Sequence, residues 1–206
     1  MILVRETPAI VTGGASGLGA AVSSALRAKN VPVAILDMNA ETGRAFAKAI
    51  GGQFAECDIS DATAVTSALE ELRGIRGQER ICADCAGIAP AAKTISRGAS
   101  HDAQLYAKAI RANLMGTFNV ATQSALGMST ADALNADGER GVIINTASIA
   151  AYEGQMGQLA YASSKAGVVG LMLPMARDLA KSGIRIAAIA PGIFATPMVT
   201  GFPQEV

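Results

Sequence analysis

Along the chain, short apolar runs alternate with amphipathic segments. The runs "AIVTG" (Ala9–Gly13), "VPVAILD" (Val31–Asp37), "GQFAECD" (Gly52–Asp58), "RICADCAG" (Arg80–Gly87), "GVIINTAS" (Gly141–Ser148) and "IRIAAIAPG" (Ile184–Gly192) predict six β-strands. Helical periodicity fills the gaps near Leu18–Ala28, Glu41–Ile50, Ala62–Leu72, Ala103–Leu126 and Gln158–Lys181. Strand–helix alternation of this kind predicts an α/β fold: a doubly wound, open parallel sheet with right-handed crossovers. Ligands then bind beyond the carboxyl ends of the strands. Two stretches break the rhythm and predict loops, Ala89–His101 and Ser129–Gly141.

Composition supports that picture. No composition shift divides the 206 residues, so a single domain over 1–206 is expected; half the residues are hydrophobic, only 17% are charged and 22 are glycine. With 17 basic and 17 acidic residues and no Lys/Arg run, nothing attracts nucleic acid or an anionic membrane, and a small-molecule partner is expected. The longest apolar stretches are interrupted by Pro174, Pro191 and Pro197, which argues against a spanning segment. The opening "MILVRETPAIVTGG" carries Arg5 and Glu6 and runs straight into a strand, unlike a signal peptide. A soluble cytoplasmic protein is the expectation, with the mitochondrial matrix left open. The odd cysteine count, Cys57, Cys82 and Cys85, fits a reducing compartment. Cys82-x-x-Cys85 lacks two further ligands, and His101 is the sole histidine, so a buried strand is the better reading and no metal is expected.

The first strand runs into "TGGASGLG", Thr12 to Gly19, at the mouth of a helix. Gly13 and Gly17 permit a tight turn and close backbone approach to a pyrophosphate, Gly19 permits close helix–strand packing, and the helix N-terminus offers free N–H groups. Asp37 ends the second strand, where a carboxylate accepts both hydroxyls of an adenosine ribose and repels a 2′-phosphate. No Arg or Lys stands at 14–16 or 38–39 to hold that phosphate, so NAD is expected over NADP. Asp58, ending the third strand, either receives the adenine amino group, with Ile59 along the ring, or caps the next helix. Cys85-Ala86-Gly87 supplies small residues where the fourth strand passes the cofactor.

Tyr161 and Lys165, in "YASSK", lie one helical turn apart on one face. A free phenol titrating near ~10 is a poor base at neutral pH, and a neighbouring cation favours its ionised form. Such a pair also occurs on ordinary solvated helices. Ser148, thirteen residues upstream at the end of the fifth strand, has a hydroxyl that either holds a substrate oxygen or caps a turn. Gln155, in "EGQMGQ", either reaches substrate or is a solvated helix-entry residue.

Taken together, "TGGASGLG", Asp37, "CAG", Asn113 in "NLMGTFN", Ser148, "YASSK" and "PG" resemble the short-chain dehydrogenase/reductase family in order and spacing, across essentially the whole chain. The stretches "CAGIA", "GVIINTASIAAYEGQMGQLAYASSK" and "IAPGIFATPM" resemble its type II 3-hydroxyacyl-CoA and hydroxysteroid dehydrogenase branch most. The resemblance implies a Rossmann-type NAD enzyme interconverting a secondary alcohol and ketone, 3-hydroxyacyl-CoA and 3-oxoacyl-CoA first among them. It makes Tyr161 the acid/base, Ser148 its partner on the substrate oxygen, and Lys165 the group that favours ionised phenol and holds the nicotinamide ribose. Asn113 is implied to steady a water linking Lys165 to solvent. Ser16, Leu18, Asp37, Asp58, Ile59, Cys85 and Phe194 fall where the branch contacts NAD, beside the turn at Pro191-Gly192 and Thr196. Asp84 departs from the family, which has a neutral polar residue there.

Family members continue past "TPM" through a lid, a helix and a last strand, and assemble as tetramers. The chain is therefore expected to stop inside a lid beginning at Thr196–Phe202, to lack the C-terminal helix and strand, and to form a homo-oligomer weakened by that loss. Two other readings stand beside the enzyme: a shortened NAD-binding or scaffold protein that turns over poorly, and an NADPH-dependent 3-oxoacyl carrier-protein reductase.

Overall fold

The computed structural model describes Leu3 and residues 5–200, the side chains of 199 and 200 excepted. The elements run β1 (Ala9–Thr12), α1 (Gly17–Ala28), β2 (Val33–Asp37), α2 (Ala40–Ile50), β3 (Gln53–Glu56), α3 (Ala62–Arg76) and β4 (Ile81–Asp84). Then come β5 (Ile95–Ser96), β6 (Ala99–Ser100), α4 (Ala103–Ala109), a π-helical turn (Ile110–Met115), α5 (Gly116–Thr130), β7 (Gly141–Thr146), α6 (Leu159–Leu179), β8 (Ile184–Ile189) and α7 (Pro197–Thr200). Six strands form a wholly parallel sheet in the order β3-β2-β1-β4-β7-β8, reversing direction of growth between β1 and β4.

Continuous apolar strands bury both faces. On one face Ile10, Leu36, Cys82 and Ile143 pack beneath α3, α5 and the far end of α6, through Leu69, Val120, Met128 and Leu179. On the other, Val11, Val33, Ile35 and Ala83 lie under Val22 and Leu26 of α1 and Phe46 and Ile50 of α2. That second layer stops short of β8, whose Arg185, Ala187 and Ile189 are exposed. No strand among the described residues pairs with the outer side of β8.

Local chemistry sets the helix ends. Asn39 caps α2 by accepting from Thr42 N–H at 3.1 Å, and Gly51 closes it in the left-handed conformation. Asp61 caps α3, accepting from Thr63 and Ala64. The alternative of a helix cap at Asp58 is thereby corrected: Asp58 accepts from Ser60 N–H inside the preceding turn. The predicted loop Ala89–His101 also needs correction, because β5 and β6 pair as a small hairpin within it.

The predicted helix Ala103–Leu126 is a continuous run interrupted by the π turn, which holds Asn113. Helix α6 with its terminal 3-10 turn, Leu159–Ser182, is long and apolar enough by length and composition to cross a membrane, which the prolines alone did not suggest. In the fold it packs on β8 and the π turn and buries Ser164, Lys165 and Val168.

Candidate active site

The reversal between β1 and β4 opens a crevice at the carboxyl ends of the strands, where such sheets take ligands. A cavity of ≈ 290 Å³ lies there. Its floor is the glycine turn. Gly13 has φ +59°, and a Cβ added to it would stand 2.8 Å from Ala86 Cα; a Cβ on Gly19 would collide with the Gly13 carbonyl. The turn and the close approach of α1 to β1 therefore require glycine. Ser16 is the N-cap of α1, yet its side chain makes no capping bond and the first turn carries no acid. Free N–H groups and an unopposed dipole at the cavity floor suit a phosphate or pyrophosphate.

Asp37 stands at one end of the cavity. Its Oδ2 accepts from Ala15 N–H at 3.2 Å and its Oδ1 from Asn39 N–H at 3.0 Å, so the carboxylate is held in place by the glycine turn itself. Two acceptor sites remain for hydroxyls. Asp58 and Ile59 line the same end, and Cys85, Ala86 and Gly87 form the middle.

At the opposite end stand Ser148, Tyr161 and Lys165, with Pro191, Gly192, Phe194 and Thr196 arching over. Every cofactor position expected from the sequence lines this one cavity. Lys165 is buried, its Nζ donating to the Thr146 carbonyl at 2.7 Å and lying 5.9 Å from the Tyr161 ring centroid. Burial pulls the Lys165 ammonium down to about 8, and nearby Cys85 and Asp84 oppose that pull. Ser148 Oγ accepts from Ala150 N–H at 3.1 Å, so the hydroxyl both caps a 3-10 turn and faces the cavity.

Two expected residues lie elsewhere. Gln155 is exposed and lines a separate open groove with Ile95, Met156 and Leu159. Asn113 is wholly buried and its side chain is bonded at both ends within the protein: Oδ1 accepts from Ile88 N–H, and Nδ2 donates to the Ile88 carbonyl and to Ser164 Oγ, at 2.8, 2.8 and 2.9 Å. The side chain thus clamps Ile88 to α6, and it lies close to the ammonium: a Cβ on Gly87 would stand 2.9 Å from Asn113 Oδ1 and 3.6 Å from Lys165 Nζ. Ser164 in turn donates to the Tyr161 carbonyl at 2.7 Å, completing a chain from Ile88 to the helix turn that bears the phenol. Sequence reading passed over Ser164; its only signal was a place three residues after Tyr161. Within the segment expected to begin a lid, Thr196–Phe202, residues 197–200 form the single turn α7, and 201–202 lie outside the described residues.

A doubly wound sheet with a glycine-floored cavity at its carboxyl edge is the arrangement of a dinucleotide-binding domain. The chain belongs to the short-chain dehydrogenase family, whose profile matches residues 7–206. It is 44% identical over 209 residues to human 3-hydroxyacyl-CoA dehydrogenase type-2, covering 98% of this chain and 79% of that protein. Human (3R)-3-hydroxyacyl-CoA dehydrogenase is 35% identical, again over 98% of this chain and 79% of the relative. The crystal structure of 3-hydroxyacyl-CoA dehydrogenase type-2 from Mycobacterium avium superposes with a TM-score of 0.91 at 38% identity, over 98% of this chain and 80% of that one.

Proposed function

We propose that the chain is an NAD-dependent dehydrogenase interconverting 3-hydroxyacyl-CoA and 3-oxoacyl-CoA. The observation that carries this reading is one cavity with a ribose-type carboxylate, Asp37, at one end and Ser148, Tyr161 and Lys165 at the other. When bound, the nicotinamide supplies hydride donation and acceptance. The chain's own residues manage position and protons. Tyr161 takes the proton from the substrate hydroxyl, or returns it to the forming alcohol, at its phenol oxygen. Ser148 holds the substrate oxygen beside it, and the Lys165 ammonium favours the ionised phenol and binds the ribose. The names of the relatives support the thioester substrate, and the carboxylate at Asp37, with no Lys or Arg at 14–16 or 38–39, supports NAD.

A homo-oligomer of the tetrameric kind is part of this reading. Helices α5 and α6 expose Phe118, Leu126 and Leu173, which a second copy would cover. The three free cysteines suit the cytoplasm, and a CoA thioester is the partner proposed in place of nucleic acid or membrane. Steady-state reduction of acetoacetyl-CoA by NADH, run beside NADH binding, tests the function. Turnover with both is expected; binding without turnover would leave a scaffold, and preference for NADPH would favour the carrier-protein reductase.

A further inference from the structure

The loop bearing Asp58 and Ile59 leaves the sheet after β3 and lines the cavity at the Asp37 end. Local bonds shape most of it. Cys57 N–H donates to the Asp37 carbonyl, Asp61 N–H to the Asp58 carbonyl and Ser60 N–H to the Asp58 carboxylate, at 3.1, 3.1 and 2.9 Å. The Ile59 carbonyl is held from outside the loop. It accepts from Asn119 Nδ2 on α5, 60 residues away in the chain, at 2.9 Å. Both residues are buried, so the carbonyl depends on this side chain for its partner.

The Ile59 side chain meets the same helix. A Cβ added to Gly116 would stand 2.6 Å from Ile59 Cγ1 and 2.7 Å from its Cδ1. Gly116 and Asn119 lie three residues apart on one helical face, and between them they fix the side chain and the backbone of Ile59. Six residues before Asn119, across the π turn, Asn113 holds Ile88. Ile88 follows β4 as Ile59 follows β3, and both line the cavity. One helical run therefore ties down two loops of the cavity wall, one against the helix of Tyr161 and one beside Asp37.

We propose that Asn119 is a positioning residue for the adenosine half of the dinucleotide: its amide fixes the loop Asp58–Ile59 where the base is received, and Gly116 leaves the room that Ile59 needs. The inference rests on the reading above in which a dinucleotide lies along the cavity with its adenosine at Asp37. Asn119 acts through Ile59 and bonds that end of the cavity alone. Its loss is therefore expected to weaken the adenosine contacts and to spare the reacting end.

Two substitutions disturb Ile59 by different means. Asn119→Leu keeps a side chain of similar size and removes the donor, leaving the Ile59 carbonyl unpaired. Gly116→Ala suits the helix, since Gly116 has φ −58° and ψ −50°, but it drives a methyl against a β-branched side chain with little freedom to step aside. Each variant is expected to bind NADH ~10-fold more weakly in fluorescence titration, and to lose AMP, read by its displacement of NADH, by a similar factor. At saturating NADH, kcat with acetoacetyl-CoA is expected to stay within ~2-fold of wild type.

Met128→Ala is the control. Met128 is a buried residue of the same helix that packs on Gly141 at the start of β7, so its truncation lowers stability without touching Ile59. NADH and AMP affinities are expected to survive it. Wild-type affinities in Asn119→Leu and Gly116→Ala would overturn the proposal. So would an equal loss in Met128→Ala, which is what general loosening of α5 gives, or a fall in kcat as large as the loss of affinity. If Asn119→Leu does not fold, Gly116→Ala decides alone, and if wild type does not turn over, the two affinities decide. A wild type that binds neither NADH nor AMP would remove the dinucleotide reading and this inference together; one that binds both, with unaltered variants, would remove the inference alone.

Discussion

The Lys165 ammonium stands 5.9 Å from the centroid of the Tyr161 ring, one helical turn away, and is anchored to the carbonyl of Thr146 at the end of the strand that leads to Ser148. One hydrogen bond thus couples the helix carrying the phenol to the strand carrying the hydroxyl. Tyr161→Phe removes the transferable proton and leaves that anchor intact. Turnover is expected to fall by roughly 10²–10⁴-fold with NADH affinity preserved. Unchanged turnover in a steady-state assay would refute the acid/base role.

Lys165 also gives the fold a pH signature. Its folded-state value of about 8 lies below the ordinary 10.5, so between those limits the unfolded chain holds a proton that the folded chain has released. Stability from this group therefore rises with pH across that window, and below it the cost of burying the ammonium is felt in full. In Lys165→Met this dependence is absent. Relative to wild type, the variant should lose on the order of 2–3 kcal/mol between the two limits, read from urea unfolding at each pH. A difference that does not change with pH would show the ammonium to be unperturbed.

How far these features were legible differs by their physical origin. Strands, helices, the glycine turn and the Tyr161–Lys165 pair follow from local pattern, since period and spacing are set by the backbone itself. The hairpin at β5–β6 was missed because its strands are two residues each, though its turn at Arg97-Gly98, both at positive φ, carried the usual glycine signal. The π turn around Asn113 has no period of its own within a helical run. Ser164 and the Asn113 clamp are joined across 51 residues of chain, a tertiary fact that no local reading contains. Asp84 was visible as a departure; that it is buried against Thr12 was not.

The Asn113 clamp predicts a stability effect. Asn113→Ala leaves the N–H and carbonyl of Ile88 without their partner and frees Ser164 beneath Tyr161. Each buried polar group left unpaired costs about 1–3 kcal/mol, so a loss on the order of 2–4 kcal/mol is expected in urea unfolding. A loss no larger than that of a surface substitution would show that water replaces the amide.

In the proposed function, cofactor choice turns on Asp37, whose carboxylate is held by Ala15 and Asn39 N–H groups and lines the cavity beside Met38. Asp37→Ser replaces the two-oxygen ribose acceptor with a single shorter hydroxyl and removes the charge that repels a 2′-phosphate, and it also loosens the glycine turn. The turn serves both dinucleotides alike, so the ratio of NADPH to NADH affinity isolates the ribose contribution. That ratio is expected to rise by ~10-fold or more in Asp37→Ser, mostly through weaker NADH binding. Met38 is 67% exposed, leaving room for a longer cation at that position. Adding Met38→Arg should then raise NADPH affinity itself, because a guanidinium can bind the phosphate in bidentate fashion. Fluorescence titration of both dinucleotides against the single and double variants reads each step. An unchanged ratio in Asp37→Ser would remove Asp37 from the ribose and with it the argument for NAD.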